Sequence, residues 1–169
     1  MGVNFYFAKR KGGKVFDEWN WPDKDWNGMG YGHFNLTRAR LASLFHPYFG
    51  LVYEHLPVKA GMSAEEQEML EHVDRFLPPI VCHFVCQPDC DGLLTRKQCE
   101  AFVREMEGVD VCGPVAPCSI QINEAWMLNP KTRTDDNSWM NHPDWVKSTE
   151  YLVGGIREAA KRKCVFAWG

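Results

Sequence analysis

The sequence predicts an α+β fold, one domain over residues 1–169 with a mixed or mainly antiparallel sheet packed against about four helices. Three observations predict it. The N-terminus alternates apolar and polar residues with the period of a strand. Ser63-Ala64-Glu65-Glu66 and Thr95-Arg96-Lys97-Gln98 each form a capping box ahead of an apolar stripe at helical spacing. Short runs of β-branched and aromatic residues lie between and after those helices.

In Val3 to Ala8, residues Val3, Phe5 and Phe7 share one face, and Lys11-Gly12-Gly13-Lys14 turns the chain so that Val15-Phe16 pairs back as a hairpin. The stretch DEWNWPDKDWNGMGYGH follows without any period. From Asn35 a helix is expected, with Leu36, Leu41, Leu44 and Phe45 near one stripe, Arg38 and Arg40 beside it, and His46-Pro47 as its stop. Phe49 to Tyr53 reads as a short strand or buried connection. Behind Ser63 the apolar positions Met69, Leu70, Val73, Phe76 and Leu77 run to the helix breaker Pro78-Pro79.

Ile80 to Cys86 is rich in β-branched residues and reads as a strand, meeting a turn at Pro88, Asp89, Asp91 and Gly92. The capped helix after Thr95 buries Cys99, Phe102, Val103 and Met106, with Leu94 placed to staple onto Cys99. A loop then leads to a strand at Cys118–Ile122. Asn129 to Asp144 is polar and reads as a surface loop. A last helix from Trp145 ends in Lys161, Arg162 and Lys163, cations suited to the negative end of its dipole. Cys164 to Trp168 closes the chain as a strand.

Composition narrows the function classes. The chain has 45% hydrophobic and 24% charged residues, a mean hydropathy of −0.37 and a net charge of −3 with both signs interspersed, as in a soluble globular protein. No apolar run approaches the roughly 20 residues a spanning helix needs, so no membrane partner is expected. An acidic balance argues against nucleic acid as a partner. The first basic residues follow the first apolar ones, the reverse of a secretory signal, and the seven cysteines are an odd number. Both features predict a cytoplasmic protein with free thiols.

Three kinds of chemistry are open at the center of the chain. Asp89-Cys90-Asp91-Gly92-Leu93-Leu94 has the alternation of a calcium loop, but neutral Gln87 and Gln98 stand where acidic ligands belong. The same two aspartates suit a turn that caps backbone N–H groups. Cys82, His83, Cys86 and Cys90 offer soft donors without a C-x-x-C pair, and buried thiols commonly act as small hydrophobes. Nucleophilic catalysis by a Cys with one of six histidines lacks any motif that joins them, and neither a G-x-S-x-G elbow nor a Gly-rich phosphate loop is present.

The segment FLPPIVCHFVCQPDCDGLLTRKQCEAFVREME resembles the central motif of a loosely defined set of uncharacterised bacterial and phage-associated proteins, in which a strand runs into H-S-D-C-D-G-E-L and a helix with E-x-C. GYGHFNLTRARLASLF and STEYLVGGIREAAKRKCVFAWG resemble the early helix and the closing helix and strand of that set. The match rests on Asp89, Cys90, Asp91, Gly92, Leu94, Thr95 and Cys99. Gln87-Pro88, Leu93 and Gln98 depart from the motif. The resemblance implies an architecture and a bacterial or phage setting; it implies no activity.

The expected function is that of a non-enzymatic binding or accessory protein without a cofactor. It would sequester a protein partner or small ligand through Trp19, Trp21, Trp26, Tyr31 and His33, with Asp89 and Asp91 at the end of the central strand. Rigid aromatics among acids suit a flat or cationic group, though tryptophans in a long loop also serve to cover a core. The alternative is a metal-dependent hydrolase, using zinc or calcium, centered on Asp89, Asp91 and nearby Cys or His.

Overall fold

The computed structural model describes residues 2–11, 14–20, 29–54, 64–123 and 132–169. The chain is an α+β domain. Its main sheet has four antiparallel strands in the order β3 (Lys14–Asn20), β2 (Phe5–Lys11), β8 (Val165–Trp168) and β5 (Gly92–Leu94). Period-two alternation decides the faces: Phe5 pairs with Trp168, and Phe7 and Leu94 both pair with Phe166. These five side chains point to one side and all are buried. Tyr6, Ala8, Leu93, Val165 and Ala167 form a smaller cluster on the other side.

Helices cover the inner face. α1 (Tyr31–Ser43) supplies Phe34, and α4 (Pro79–Val85) supplies Phe84. Phe102 comes from α5 (Arg96–Glu105), and Leu152 and Ile156 come from α6 (Pro143–Arg162). α2 (Pro47–Glu54) turns back along α1, and α3 (Ala64–Glu71) follows it in the chain. A β-carbon on Gly50 would lie 1.7 Å from Ser43 Oγ and 2.6 Å from Ala39 O, so only glycine allows the α1–α2 approach. Two ribbons lie outside the main sheet: β1 (Gly2–Val3) pairs with β4 (Met29–Gly30), and β6 (Ser119–Asn123) pairs with β7 (Thr132–Asp136).

The N-terminal hairpin and the closing strand form as the alternation predicts. Thr95 caps α5 with a full reciprocal box: its hydroxyl accepts from Gln98 N while Gln98 Oε1 accepts from Thr95 N. Leu94 and Cys99, the two ends of the expected staple, are both fully buried. α6 ends where the basic residues cluster. Lys163 takes the left-handed conformation (φ 56°), and Cys164 N donates to Ala159 O at 3.0 Å, which aims the chain straight into β8.

Ile80 to Val85 is helical, with Cys86 as the cap of that helix, and the segment contributes no strand to the sheet. Pro79 sits at the first helical position, where its fixed φ starts a helix and its missing N–H costs nothing. Val81, Phe84 and Val85 then share one buried stripe, so packing overrides their β propensity. The strand at this point of the chain is Gly92–Leu94, between the turn and α5. Pro47 acts in the same way as Pro79, and Phe49–Tyr53 lies within helix α2.

Other boundaries shift too. α1 begins at Tyr31 rather than Asn35. The helix expected through Leu77 stops at Glu71 and gives way to a 3-10 turn at Val73–Arg75; Ser63 lies outside the described residues. Cys118–Ile122 does not join the main sheet, because Ser119–Asn123 pairs with Thr132–Asp136, inside the expected surface loop. The described residues therefore hold six α-helices, against about four expected.

Candidate binding site

The first turn of α1 carries His33 toward the start of α6. Thr37 Oγ1 donates to His33 O, and His33 Nε2 lies 2.7 Å from Ser148 Oγ, whose hydroxyl also reaches Asp144 O at 2.8 Å. The imidazole stacks on Trp145 with centroids 4.4 Å apart and planes tilted by 33°. Trp145 meets Trp139 edge-to-face at 5.2 Å. Trp139 sits in a 3-10 helix, Ser138–Asn141, packed against the start of α6. All three residues are half-buried. Burial lowers the pKa of His33, with the Asp144 carboxylate acting in the opposite direction.

Tyr31 is half-buried against the main core, one helical turn from Phe34 and Asn35. Trp19 lies in β3, where its backbone pairs with Phe7. Trp21 and Trp26 lie outside the described residues; their segment joins the chain at Met29, where β4 pairs with β1 and leads into α1.

Asp89 belongs to a second cluster. Asn35 Nδ2 donates to Asp89 Oδ2 at 3.0 Å, while Asn35 Oδ1 accepts from Arg38 Nη2. The amide thus relays between a guanidinium and a carboxylate. Arg38 is 3% exposed, lies over the Phe34 ring at 4.5 Å and donates to Gln87 O. Burial lowers its pKa, and Tyr53, Asp89 and Cys86 partly offset this. Residues two apart on a helix do not face the same way, so His33 and Asn35 carry these clusters on different sides of α1. Asp91 is exposed.

The positions a calcium loop would use are engaged in holding the turn. Gln87 brackets Leu93, accepting from Leu93 N at 2.9 Å and donating to Leu93 O at 3.0 Å. Both Gln87 Nε2 and Gln98 Nε2 approach His83 Nε2, at 2.7 and 2.9 Å. Their orientations are set by the backbone groups that each Oε1 accepts from, which leaves each amide nitrogen facing the imidazole. Trp168 Nε1 donates to Pro88 O at 3.0 Å, and a β-carbon on Gly92 would meet the Trp168 ring at 2.3 Å. Gly92 is required by that indole; its φ is not in the left-handed region.

Cys82 on α4 is half-buried, and Cys86, which caps that helix, is exposed; Cys90 is exposed in the turn beyond. Burial first, then the neighboring Cys86, pushes the Cys82 thiol up to about 11. All seven cysteines are free. Among the described residues no three His, Cys, Asp or Glu side chains converge as a metal-ligating group.

The structure adds Trp139 and Trp145 to His33. Sequence reading placed Trp145 only as the opening of a helix and Trp139 only in a polar loop. Comparisons with protein-family models, curated proteins and solved structures find no match to this chain.

Proposed function

We propose that this chain is a cytoplasmic, non-enzymatic binding protein, an accessory factor of the bacterial or phage kind its central motif resembles. It sequesters a protein partner or small ligand through an aromatic surface at the start of α1 and α6. The observation that carries the reading is the His33–Trp145–Trp139 stack, three half-exposed rings held rigid by Ser148 and by each other. Rigid aromatics lose little conformational entropy on binding and offer both a π-face and a polar edge, which is why Trp and Tyr dominate binding hot spots. Tyr31 and His33 of the expected aromatic set both lie in the first turn of α1. Seven free thiols fit a reducing compartment, and among the described residues no helix is long and apolar enough to cross a membrane.

A small-fragment library observed by saturation-transfer NMR tests the surface. Aromatic and cationic fragments are expected to bind and to shift the indole signals of Trp139 and Trp145. In a folded Trp145→Ala variant their affinity should fall about 30-fold, the equivalent of roughly 2 kcal/mol. Fragments that bind the variant as tightly as the native chain would refute the assignment.

A further inference from the structure

The register of the main sheet gathers cations from three distant parts of the chain at one end of β8. Ala8 on β2 pairs with Val165, and Leu94 on β5 pairs with Phe166, so both strands run toward the point where β8 begins. Adjacent strands lie about 4.8 Å apart, which puts β2 and β5 within roughly 10 Å of each other across it. Lys9 follows on one side and Arg96-Lys97 on the other, while Lys161, Arg162 and Lys163 lead into β8 between them. We infer that this face is a docking surface for an acidic segment of a partner protein.

The side chains suit that role. Arg96, Lys97, Lys161, Arg162 and Lys163 are exposed. The Arg162 guanidinium lies 5.0 Å over the Phe7 ring, on the face of β2 that Lys9 shares two residues on. Two carboxylates interrupt the patch: Glu158 meets Arg162 at 2.6 Å and Lys161 at 3.7 Å, and Glu100 meets Arg96 at 2.8 Å. The cations outnumber them. β3 sets Asp17 opposite Lys9, so the excess lies on the α5 side of β8.

Local helix chemistry accounts for only part of this charge. Lys161 and Arg162 stand at the negative end of the α6 dipole, where cations are favored. Arg96 and Lys97 stand at the positive end of α5, whose first turn holds no acid, so they run against the preference of their own helix. An anionic partner turns that opposition into attraction. The overall charge then selects the partner. A nucleic-acid duplex carries one charge per about 1.7 Å and would draw the acidic remainder of this surface into its field. A short acidic segment meets the patch alone, and its carboxylates match guanidinium and ammonium donors. Trp145 stands near the other end of α6, about 27 Å away, so this surface is separate from the aromatic one.

Fluorescence anisotropy of a labeled deca-glutamate peptide, titrated with the full chain at low salt, tests the surface. The native chain is expected to bind it, and more weakly as salt is raised. Replacing three exposed cations together, Lys97→Gln, Lys161→Gln and Lys163→Asn, should lower the affinity about 10-fold. Asparagine accepts the left-handed conformation at position 163, so α6 keeps its end. Removing cations elsewhere, with Arg75→Gln and Lys147→Gln, should leave the affinity within about 2-fold of native, and so should Trp145→Ala. No binding by the native chain, equal losses in the two sets of charge variants, or a short DNA duplex bound more tightly than the peptide would overturn the inference.

Discussion

Replacing Arg40 with methionine is expected to destabilize the protein by about 3–5 kcal/mol, read as a fall in the urea midpoint at unchanged m value. Arg40 is fully buried and acts as a three-way bracket for the backbone. Nε donates to Met140 O at 2.6 Å, Nη1 to Val111 O at 3.0 Å and Nη2 to Gly113 O at 2.9 Å. Methionine fills much of the volume but leaves three buried carbonyls without a donor, and each such loss carries a desolvation penalty of about 1–3 kcal/mol before relaxation. The loss is set against a total stability of roughly 5–15 kcal/mol for a typical domain. Lysine keeps the charge but lacks the planar fork, so Arg40→Lys should recover only part of the stability. Met140 neighbors Trp139, so the same bracket steadies one ring of the proposed binding surface. A loss below about 1 kcal/mol for methionine would show that the carbonyls find other donors.

Trp168→Ala should cost a comparable amount, about 3–5 kcal/mol, as expected for emptying a large aromatic site. Its ring is fully buried in β8 and meets Phe34 at 5.8 Å and Phe84 at 5.3 Å, both edge-to-face, and Phe166 at 6.3 Å. The indole also covers Gly92 and donates to Pro88 O, so one side chain joins the sheet, the helical layer and the Asp89 turn. Trp168→Phe separates these contributions. It preserves most of the packing and removes the donor, and should lose about 1–2 kcal/mol by thermal unfolding. Equal losses for the two variants would mean that the hydrogen bond, rather than the ring, dominates.

Much of this architecture was legible in the sequence because its signals are local. The alternation of Phe5 and Phe7, the Thr95–Gln98 box and the basic end of α6 each depend on residues within one turn or one strand. Ile80–Cys86 was misread for an equally local reason: a short apolar run fits a buried strand or a buried helix, and periodicity alone cannot separate them. Pro78-Pro79 reads in the sequence as an end, while Pro79 is a beginning. Gly92 suggested a sharp turn, but the indole that demands it is 76 positions away in the chain, on Trp168. The site shows the same limit. His33 reaches Ser148 across a separation of 115 residues, and no local pattern announces that meeting. Arg40 reads as one of two cations beside a helical stripe; its three carbonyl partners, on Val111, Gly113 and Met140, lie about 70 to 100 residues later in the chain.

The helix at Pro79–Val85 underlies the identity of the sheet edge and the setting of the Asp89 turn. Backbone NMR over Ile80–Cys86 measures it directly. Downfield Cα shifts and sequential amide–amide contacts through this segment are the expected result, with cross-strand contacts to β8 confined to Gly92–Leu94. Upfield Cα shifts with cross-strand contacts from Ile80–Cys86 to a neighboring strand would contradict it.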